Sequence, residues 1–330
     1  MRFRGTLAKD ALAVLLDVAL AFSRLSAASS NSKAGCVFTL SPAALAVALK
    51  SSGEELQSFA RLPLDRVFHD VTVQSRADDH IGFVCDIRHF HRALTSGKDA
   101  SAVMLRLLKR DGNAFLCLRT RAVDIDIVQS IPIQVLPMSA VEHYGEPSVP
   151  APQIVIEMPP LRALRSIVDR LKALHRSITL EASRRGTLVL RIDTLPLTLQ
   201  TLFAHLRFRD DLVDEEEEEE EDRSDEEMKS SRDDDDSERK KSNRHDTSSV
   251  TVDAKVLGKA ILMDNSSADN VLCCKCFELL SVRVQEYGTE PELLLAVLGI
   301  TENRALVLHT ILVDGFGSIT CYLPVLTPDD

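Results

Sequence analysis

The chain has 330 residues and a formal net charge of −11, and 45% of its residues are apolar, enough for about two domains with buried cores. Its seven cysteines are scattered and odd in number, which excludes a disulfide framework and favours a reducing compartment. No stretch is apolar over the length that a helix needs to cross a bilayer, so we expect no membrane span.

The first half of the chain alternates strand and helix patterns. Arg2–Leu7 alternates apolar and polar residues, which predicts a strand, and Asp10–Ser26 follows a helical period better than the pattern of a signal peptide. A short helix is expected at Asp86–Leu94, and Asp111-Gly112 predicts a hairpin turn. The other expected strands are Gly35–Leu40, Ala44–Leu49, Leu64–Val73, His80–Cys85, Val103–Lys109, Ala114–Arg119 and Ile131–Leu136.

A proline-rich joint follows, and the plan then repeats. Four prolines between Pro137 and Pro152 predict an extended surface connector. A strand at Gln153–Met158 again leads into a helix, Pro160–Arg176, and Asp253 is a candidate N-cap for a last helix through Met263. We expect strands at Ser177–Ala182, Thr187–Asp193, Leu197–Phe208, Val250–Val252, Val271–Val284, Leu306–Val313 and Ser318–Pro324, and an outward loop at Gln285–Thr301.

One segment, with a net charge of −13, accounts for more than the whole chain's net charge of −11. Between Asp210 and Asp246 there are 20 acidic and 7 basic residues, against 30 acidic and 32 basic ones in the rest of the chain. Such a segment cannot bury enough apolar surface to fold, so we expect a disordered acidic insertion at about residues 209–248. Ser224 precedes three acidic residues and is a candidate site for an acidophilic kinase of the casein-kinase type. Nucleic-acid mimicry, recruitment of basic partners and an insertion without function are all compatible with this composition.

The repeated order of elements predicts an α+β protein made of two related halves. A strand–helix–strands unit used twice indicates a pseudo-symmetric molecule, with antiparallel strands covered on one side by helices. We divide the chain into a first half at residues 1–136, a connector at 137–152 and a second half at 153–330.

Basic side chains recur on the predicted helices, opposite the apolar face that would enter the core. Such faces can follow a phosphate backbone with a salt-dependent affinity, although an ordinary solvated face has the same composition. The first helix departs from this pattern, because Asp10 and Asp17 share its polar side with Lys9 and Arg24. The basic residues on these faces are Arg88, Arg92, Arg162, Arg165, Lys172, Arg176, Lys255 and Lys259.

No residue pattern supports a chemical reaction. There is no nucleophile elbow and no glycine loop for phosphate, and Asp124 and Asp126, which alternate on a strand, have no supporting acid or base. Cys273-Cys274-Lys275-Cys276 lacks a second pair of ligands at matching spacing, so we interpret it as strand cysteines and not as a zinc site. We therefore predict a protein that is not an enzyme and that has no metal or cofactor.

Several short stretches together resemble a known family. The chain resembles the Hus-one subunit of the nine-one-one DNA-damage checkpoint clamp over nearly its whole length, except in the acidic segment and in Gln285–Thr301. The connector and the helix after it are the most specific part, whereas the match is weak over Ser51–Asp79. The stretches are Met1-Arg2-Phe3-Arg4, Thr39-Leu40-Ser41-Pro42, Ile131-Pro132-Ile133-Gln134-Val135-Leu136-Pro137, Glu146-Pro147-Ser148-Val149-Pro150-Ala151-Pro152 and Tyr322-Leu323-Pro324-Val325-Leu326.

The resemblance implies a sliding-clamp fold, with sheets outside and helices lining a central hole. It implies a nuclear ring subunit whose partners are Rad-nine-type and Rad-one-type subunits, a clamp loader, double-stranded DNA read without sequence specificity, and repair and signalling proteins. The eight basic residues would line the hole, and residues 137–152 would be the interdomain connector. The alternatives are a replication-type clamp made of three copies and an adapter that binds proteins but not DNA.

Overall fold

The computed structural model is an α+β protein with eighteen strands and six helices in the part of the chain that it describes. The described residues are 1–28, 35–49, 56–122, 125–195, 197–209, 246–261, 271–272, 295–301 and 304–326. The acidic segment at residues 210–245, which contains Ser224, therefore lies outside the described residues. Asp124, Cys273, Cys274 and Cys276 lie outside them as well.

The elements follow one another in a strand-rich order. The helices are α1 (Ala11–Ala28), α2 (Leu64–Val67), α3 (Ile87–Thr95), α4 (Met138–Glu142), α5 (Leu161–Leu174) and α6 (Ala254–Ile261). The first nine strands are β1 (Arg2–Leu7), β2 (Cys36–Leu40), β3 (Ala44–Leu49), β4 (Gln57–Pro63), β5 (Phe68–Gln74), β6 (Ile81–Cys85), β7 (Ala102–Arg110), β8 (Asn113–Arg121) and β9 (Asp126–Leu136). The last nine are β10 (Ile154–Met158), β11 (Ser177–Ser183), β12 (Thr187–Asp193), β13 (Thr198–Phe203), β14 (Thr247–Asp253), β15 (Val271–Leu272), β16 (Leu295–Thr301), β17 (Ala305–Ile311) and β18 (Ser318–Leu323).

Strand pairing repeats between the two sets of strands, and every pair is antiparallel. In the first set β1 pairs with β7, β2 with β3 and β6, and β7, β8 and β9 form a meander. In the second set β10 pairs with β16, β11 with β12 and β14, and β16, β17 and β18 form the matching meander. The predicted duplication is thus present in the hydrogen-bonded topology and not only in the order of elements.

A seam between β4 and β18 joins the first set to β10, β15, β16 and β17 in one fourteen-stranded sheet, while β11–β14 form a separate four-stranded sheet. Ser318 lies opposite Arg61 and Tyr322 opposite Gln57 in an antiparallel register. The seam is well packed, because the rings of Phe59 and Tyr322 meet edge to face, 5.8 Å between centroids, over fully buried Ser58.

The helices lie side by side against the sheets in the order α3, α1, α6, α5. The helix α1 is buried on most of its circumference, since the buried side chains include Val14, Leu16, Ala19 and Ala21, which point in different directions around its axis. Helices α3 and α5 bury one face each and leave the other face exposed. The position of α1 between neighbours explains why its sequence is apolar on almost every side.

The connector is folded onto the sheet over part of its length. Pro137 stands at the N-cap of α4, and Val141 of this helix packs over Gly82, where an added Cβ would lie 2.2 Å from a valine methyl carbon. Tyr144 joins a small apolar cluster with Phe59, and Glu146 accepts a hydrogen bond from the Tyr322 hydroxyl. The prediction of a purely extended connector was therefore wrong over Met138–Glu142.

Three other sequence predictions differ from the structure. Leu64–Val73 was predicted as one strand, but its first four residues form α2, and the preceding strand β4 was missed. Gln285–Thr301 was predicted as an outward loop, but its end, Leu295–Thr301, is β16, which lies between β10 and β17 with Val297, Leu298 and Ile300 buried. A strand that is buried on both faces has apolar residues at successive positions. The alternation of apolar and polar residues that predicts a half-exposed strand is therefore missing there.

Candidate nucleic-acid interface

Helix α5 is amphipathic and exposes a basic face. Leu164, Val168 and Leu171 recur at intervals of four and three residues, which turns all three toward the core, where they are buried. The side chains opposite them are exposed, including the predicted Arg162, Arg165 and Lys172. Arg170, which the sequence analysis did not select, is exposed as well. Leu174 continues this apolar spacing but is 57% exposed, because the helix ends at this residue.

Helix α3 begins at an aspartate cap that also holds one of the arginines. Asp86 Oδ1 accepts hydrogen bonds from the backbone N–H groups of Arg88 and His89, at 2.9 and 3.4 Å. The Arg88 guanidinium lies 3.4 Å from the same carboxylate, whereas Arg92, one turn later, is exposed and forms no ion pair with a described residue. Burial alone would raise the pKa of Asp86, but the hydrogen bonds and charge of Arg88 outweigh it and lower the pKa.

Helix α6 repeats this arrangement. The predicted cap is confirmed, because Asp253 Oδ1 accepts hydrogen bonds from the N–H groups of Lys255 and Val256. The other oxygen of Asp253 lies 3.3 Å from Arg176 Nε, so this ion pair links the segment after α5 to the start of α6. Lys255 is exposed and Lys259 is half-buried.

Most of the basic side chains on these helices remain available to an external anion. Three are paired with a carboxylate, namely Arg88 with Asp86, Lys172 with Asp169, and Arg176 with Asp253. Within the described ranges no acidic residue pairs with Arg92, Arg162, Arg165, Arg170, Lys255 or Lys259. Exposed ion pairs contribute little and exchange readily, so the paired residues can also contact phosphate.

Helix α1 adds little positive charge to this surface, as its mixed sequence predicted. Its outer stripe carries Asp17, whose pKa is raised because the carboxyl is partly buried, an effect that the nearby Lys98 only partly offsets. Arg24 is half-buried, and it helps to lower the pKa of His91 on α3, after the larger effect of burial. The basic surface is therefore uneven, strong on α3, α5 and α6 and weak on α1.

This surface has the composition of a face that contacts phosphates. Its exposed polar groups are mainly guanidinium and ammonium groups, which position a nucleic-acid backbone without reading bases. Where side chains are described, three or more histidine, cysteine or carboxylate ligands never come together as a metal site would require. None of the described helices has the length and hydropathy of a membrane span.

The structure also shows two open strand edges that the sequence analysis did not locate. Under the internal repeat, β13 corresponds to β4 and β9 to β18, the two strands of the seam. On the side of β13 away from β12, no described strand pairs with Thr198–Phe203. On the side of β9 away from β8, no described strand pairs with the first seven residues. Among the residues whose burial is described, nine large apolar side chains are exposed, and seven of them lie on or beside these two strands, namely Ile125, Ile127, Val128, Val135, Leu195, Leu197 and Leu202.

Comparison with known proteins decides the family. The model of the family described as "Hus1-like protein" matches residues 1–285. The chain belongs to the Hus1-like protein family. It is 36% identical to Checkpoint protein hus1 of Schizosaccharomyces pombe over 142 residues, which is 42% of this chain and 50% of that protein. It is 26% identical to Checkpoint protein HUS1 of Homo sapiens over 197 residues, 56% of this chain and 69% of that protein. The match thus spans half the length of the fission yeast relative.

Solved structures identify the fold of this Hus1-like chain. The proliferating cell nuclear antigen of Thermococcus kodakaraensis superimposes with a TM-score of 0.60 at 12% identity, over 98% of this chain and the whole of that one. The protein of the same name from Entamoeba histolytica gives the same TM-score and identity over 98% and 99% of the two chains. The predicted sliding-clamp fold is therefore confirmed.

Proposed function

We propose that this Hus1-like chain is a non-catalytic subunit of a nuclear checkpoint clamp that encircles duplex DNA. Rad-nine-type and Rad-one-type subunits would complete the ring, a clamp loader would place it on DNA, and repair and signalling proteins would bind it there. The relatives named as checkpoint proteins support the role in damage signalling. The residues on α3, α5 and α6 would face the DNA.

The observation that carries this proposal is the row of helices with basic, unpaired side chains on a clamp fold. A ring that slides needs positive charge for the phosphates, but it must not read bases, because base contacts would stop it at one sequence. Arginine and lysine side chains on three of the four neighbouring helices supply that charge. The two halves of the chain would together contribute one arc of the hole.

The open edges of β9 and β13 supply the contacts between subunits. Exposed strand edges with apolar side chains pair readily with another strand, and β4 with β18 shows such a pairing inside this chain. A β9 edge that meets a β13-type edge on the next subunit is a head-to-tail contact, which closes into a ring when the rotation between subunits permits it. The contact between subunits would then have the same strand-pairing geometry as the seam inside the chain.

The test is the composition and topology of the assembly. The full chain is co-expressed with Rad-nine-type and Rad-one-type subunits of the same organism, and the mass of the purified complex is measured. We expect one copy of each subunit and, after loading on a nicked circular plasmid, release of the complex when the plasmid is linearised.

Two results would contradict the proposal, each in a different way. A stable ring of three copies of this chain alone would indicate the replication-type clamp. A complex that never binds DNA would favour the adapter that acts through protein contacts.

A further inference from the structure

The sheet face opposite the helices carries a compact cluster of arginines. On β1, Arg2 and Arg4 alternate with Phe3, Gly5 and Leu7, which are buried toward the helices, so both arginines lie on the outer face. Arg106 of β7 lies directly opposite Arg4 in the antiparallel register and shares this face. We call Arg2, Arg4 and Arg106 the outer arginine cluster.

The three charges of this cluster are not neutralised within the described chain. Like charges that lie directly opposite on neighbouring strands repel each other, so the pair Arg4–Arg106 costs stability unless an anion lies between them. No described carboxylate forms an ion pair with any of the three, and Asp70, at the bulge of the adjacent β5, forms none either. Arg106 Nε is closed off from solvent and finds no hydrogen-bond acceptor among the described residues.

A neighbouring pair on the same face shows the contrast. Arg119 and Arg121 of β8 both contact Asp126 of β9, at 2.5 and 3.6 Å, and the Arg119 hydrogen bond is the main reason why the pKa of Asp126 is lowered. Nε of Arg119, like that of Arg106, has no hydrogen-bond partner among the described residues, so the contrast lies in the charge. A carboxylate pairs with Arg119 and Arg121, whereas none pairs with the outer arginine cluster.

The surroundings of the cluster combine polar and apolar groups. Thr72 and Gln74 of β5 lie opposite Arg4 and Arg2, and offer a hydroxyl and an amide on the same face. Leu108 and Phe115, a directly opposed pair on β7 and β8, are half-buried on the other side of the cluster. The site thus offers three guanidinium groups beside two apolar side chains, those of Leu108 and Phe115.

We propose that the outer arginine cluster binds a phosphorylated serine or threonine of a partner protein, with an apolar side chain of the same peptide on Leu108 and Phe115. Arg2 and Arg4 are about 7 Å apart along the strand, and Arg4 and Arg106 about 5 Å apart across it, so their long side chains can reach the oxygens of one phosphate. Phosphate is a dianion near neutral pH and accepts bidentate hydrogen bonds from guanidinium groups.

The compactness of the cluster favours a phosphopeptide over a nucleic-acid strand. A polynucleotide needs positive charges repeated along its path, as on the helix faces. Here Leu108 separates the cluster from Arg110, the next arginine on this face of β7, and Arg119 and Arg121 are neutralised by Asp126. The site lies on the other side of the sheet from the proposed DNA contacts, so either proposal can fail without the other.

The probe is a short fluorescent peptide that carries one phosphoserine with a leucine two positions away, titrated into the full chain by anisotropy. We expect the unphosphorylated serine peptide to bind at least about tenfold more weakly, and Arg4→Gln with Arg106→Gln to weaken phosphopeptide binding by about tenfold or more. The matched control, Arg162→Gln with Arg165→Gln on α5, removes two exposed arginines from the opposite side and should leave this binding unchanged.

Stability gives a second readout that a purely structural role would not reproduce. Because Arg4 and Arg106 repel each other, Arg106→Gln should keep or raise the melting temperature, and inorganic phosphate should raise that of the wild type more than that of the double variant. The proposal is overturned if the serine and phosphoserine peptides bind alike, if the wild type binds neither, or if a single-stranded oligonucleotide competes at this site better than the phosphopeptide.

Discussion

Two aspartates each contact both the first turn of a helix and a neighbouring arginine. Asp86 and Asp253 each cap a helix with one oxygen and contact an arginine with the other, Arg88 and Arg176 respectively. A cap of this kind is worth about 1 kcal/mol, more than an exposed ion pair contributes. The carboxylates therefore stabilise the ends of α3 and α6, and the position of the arginines follows from that.

The buried histidine on β17 gives a prediction about pH. His309 is fully buried with Nδ1 at 2.9 Å from the Thr320 hydroxyl, and burial lowers its pKa to about 4. Since an unfolded histidine titrates near about 6.5, the unfolded state binds more protons between these values, and the free energy of unfolding should fall as the pH drops through this window. Chemical denaturation of the wild type and of His309→Asn at several pH values measures the effect.

The expected result is a difference between the two proteins that changes with pH. The stability of the wild type relative to the variant should decrease by roughly 1 kcal/mol per pH unit below about pH 6.5 and level off near pH 4. Above pH 7 the difference should be constant, because His309 is neutral in both states there. Parallel curves across the whole range would contradict the assignment.

At the scale of elements, one kind of strand edge is paired inside the chain, where β4 meets β18, and is left unpaired at two other places, β9 and β13. The strands β4 and β18 bury Ser58, Phe59 and Cys321 between the halves. Their counterparts β13 and β9 each leave an edge open, in β9 only before the part that pairs with β6, and they expose leucine, isoleucine and valine side chains. Exposed apolar edges are unfavourable in an isolated chain, because they pair without specificity. We therefore expect these edges to control assembly and to contribute little to the fold of the chain itself.

Leu202→Glu tests this expectation. Leu202 on β13 is 62% exposed, so the substitution should change the free energy of unfolding by no more than about 0.5 kcal/mol. A carboxylate in the middle of a strand–strand contact should weaken association with the neighbouring subunit by about tenfold or more. Leu174→Glu is the matched control, since Leu174 is 57% exposed at the end of α5 and away from both edges. Equal effects of the two variants on assembly would contradict the edge assignment.

At the scale of the whole molecule, the helix side of the sheets carries the basic faces of α3, α5 and α6, and the sequence also contains a separate acidic segment. The chain without residues 210–246 is close to neutral, so the basic faces of α3, α5 and α6 are a local concentration of charge and not a property of the whole sequence. Screening by salt should therefore act strongly on DNA binding and weakly on folding.

The salt dependence of DNA binding gives the last prediction. Replacement of Arg162, Arg165, Arg170 and Lys255 by glutamine in the assembled ring should lower the slope of log K against log salt concentration by up to about 3 to 4, since each phosphate contact contributes about 0.9. Arg66 and Arg76, which are exposed outside these helices, provide matched substitutions that should leave the slope unchanged. Affinity at several salt concentrations is measured on one duplex, and an unchanged slope in the fourfold variant would contradict the assignment of these residues to DNA.

Helices and turns could be predicted from the sequence where the local pattern of apolar and polar residues reflects which side of the element is buried. The helices α3 and α5 show one apolar and one polar face, and the turn at Asp111-Gly112 has positive φ at both residues, 51° and 83°. Prediction failed for β4 and β16, because burial on both faces or at the seam removes the alternation. Arg170 was missed because the sequence alone does not show how wide the exposed face of α5 is.

By itself, the amino-acid sequence determined the repeated order of strands and helices, the basic character of the helix faces and the isolation of the acidic segment, because these depend on residue type and spacing along the chain. Only the tertiary structure decided which strands pair across the seam, which edges stay open, and which arginines find a carboxylate. These properties depend on contacts between residues that lie far apart in the sequence, such as Arg176 with Asp253 or β4 with β18. A local pattern carries no information about such contacts until the chain has folded.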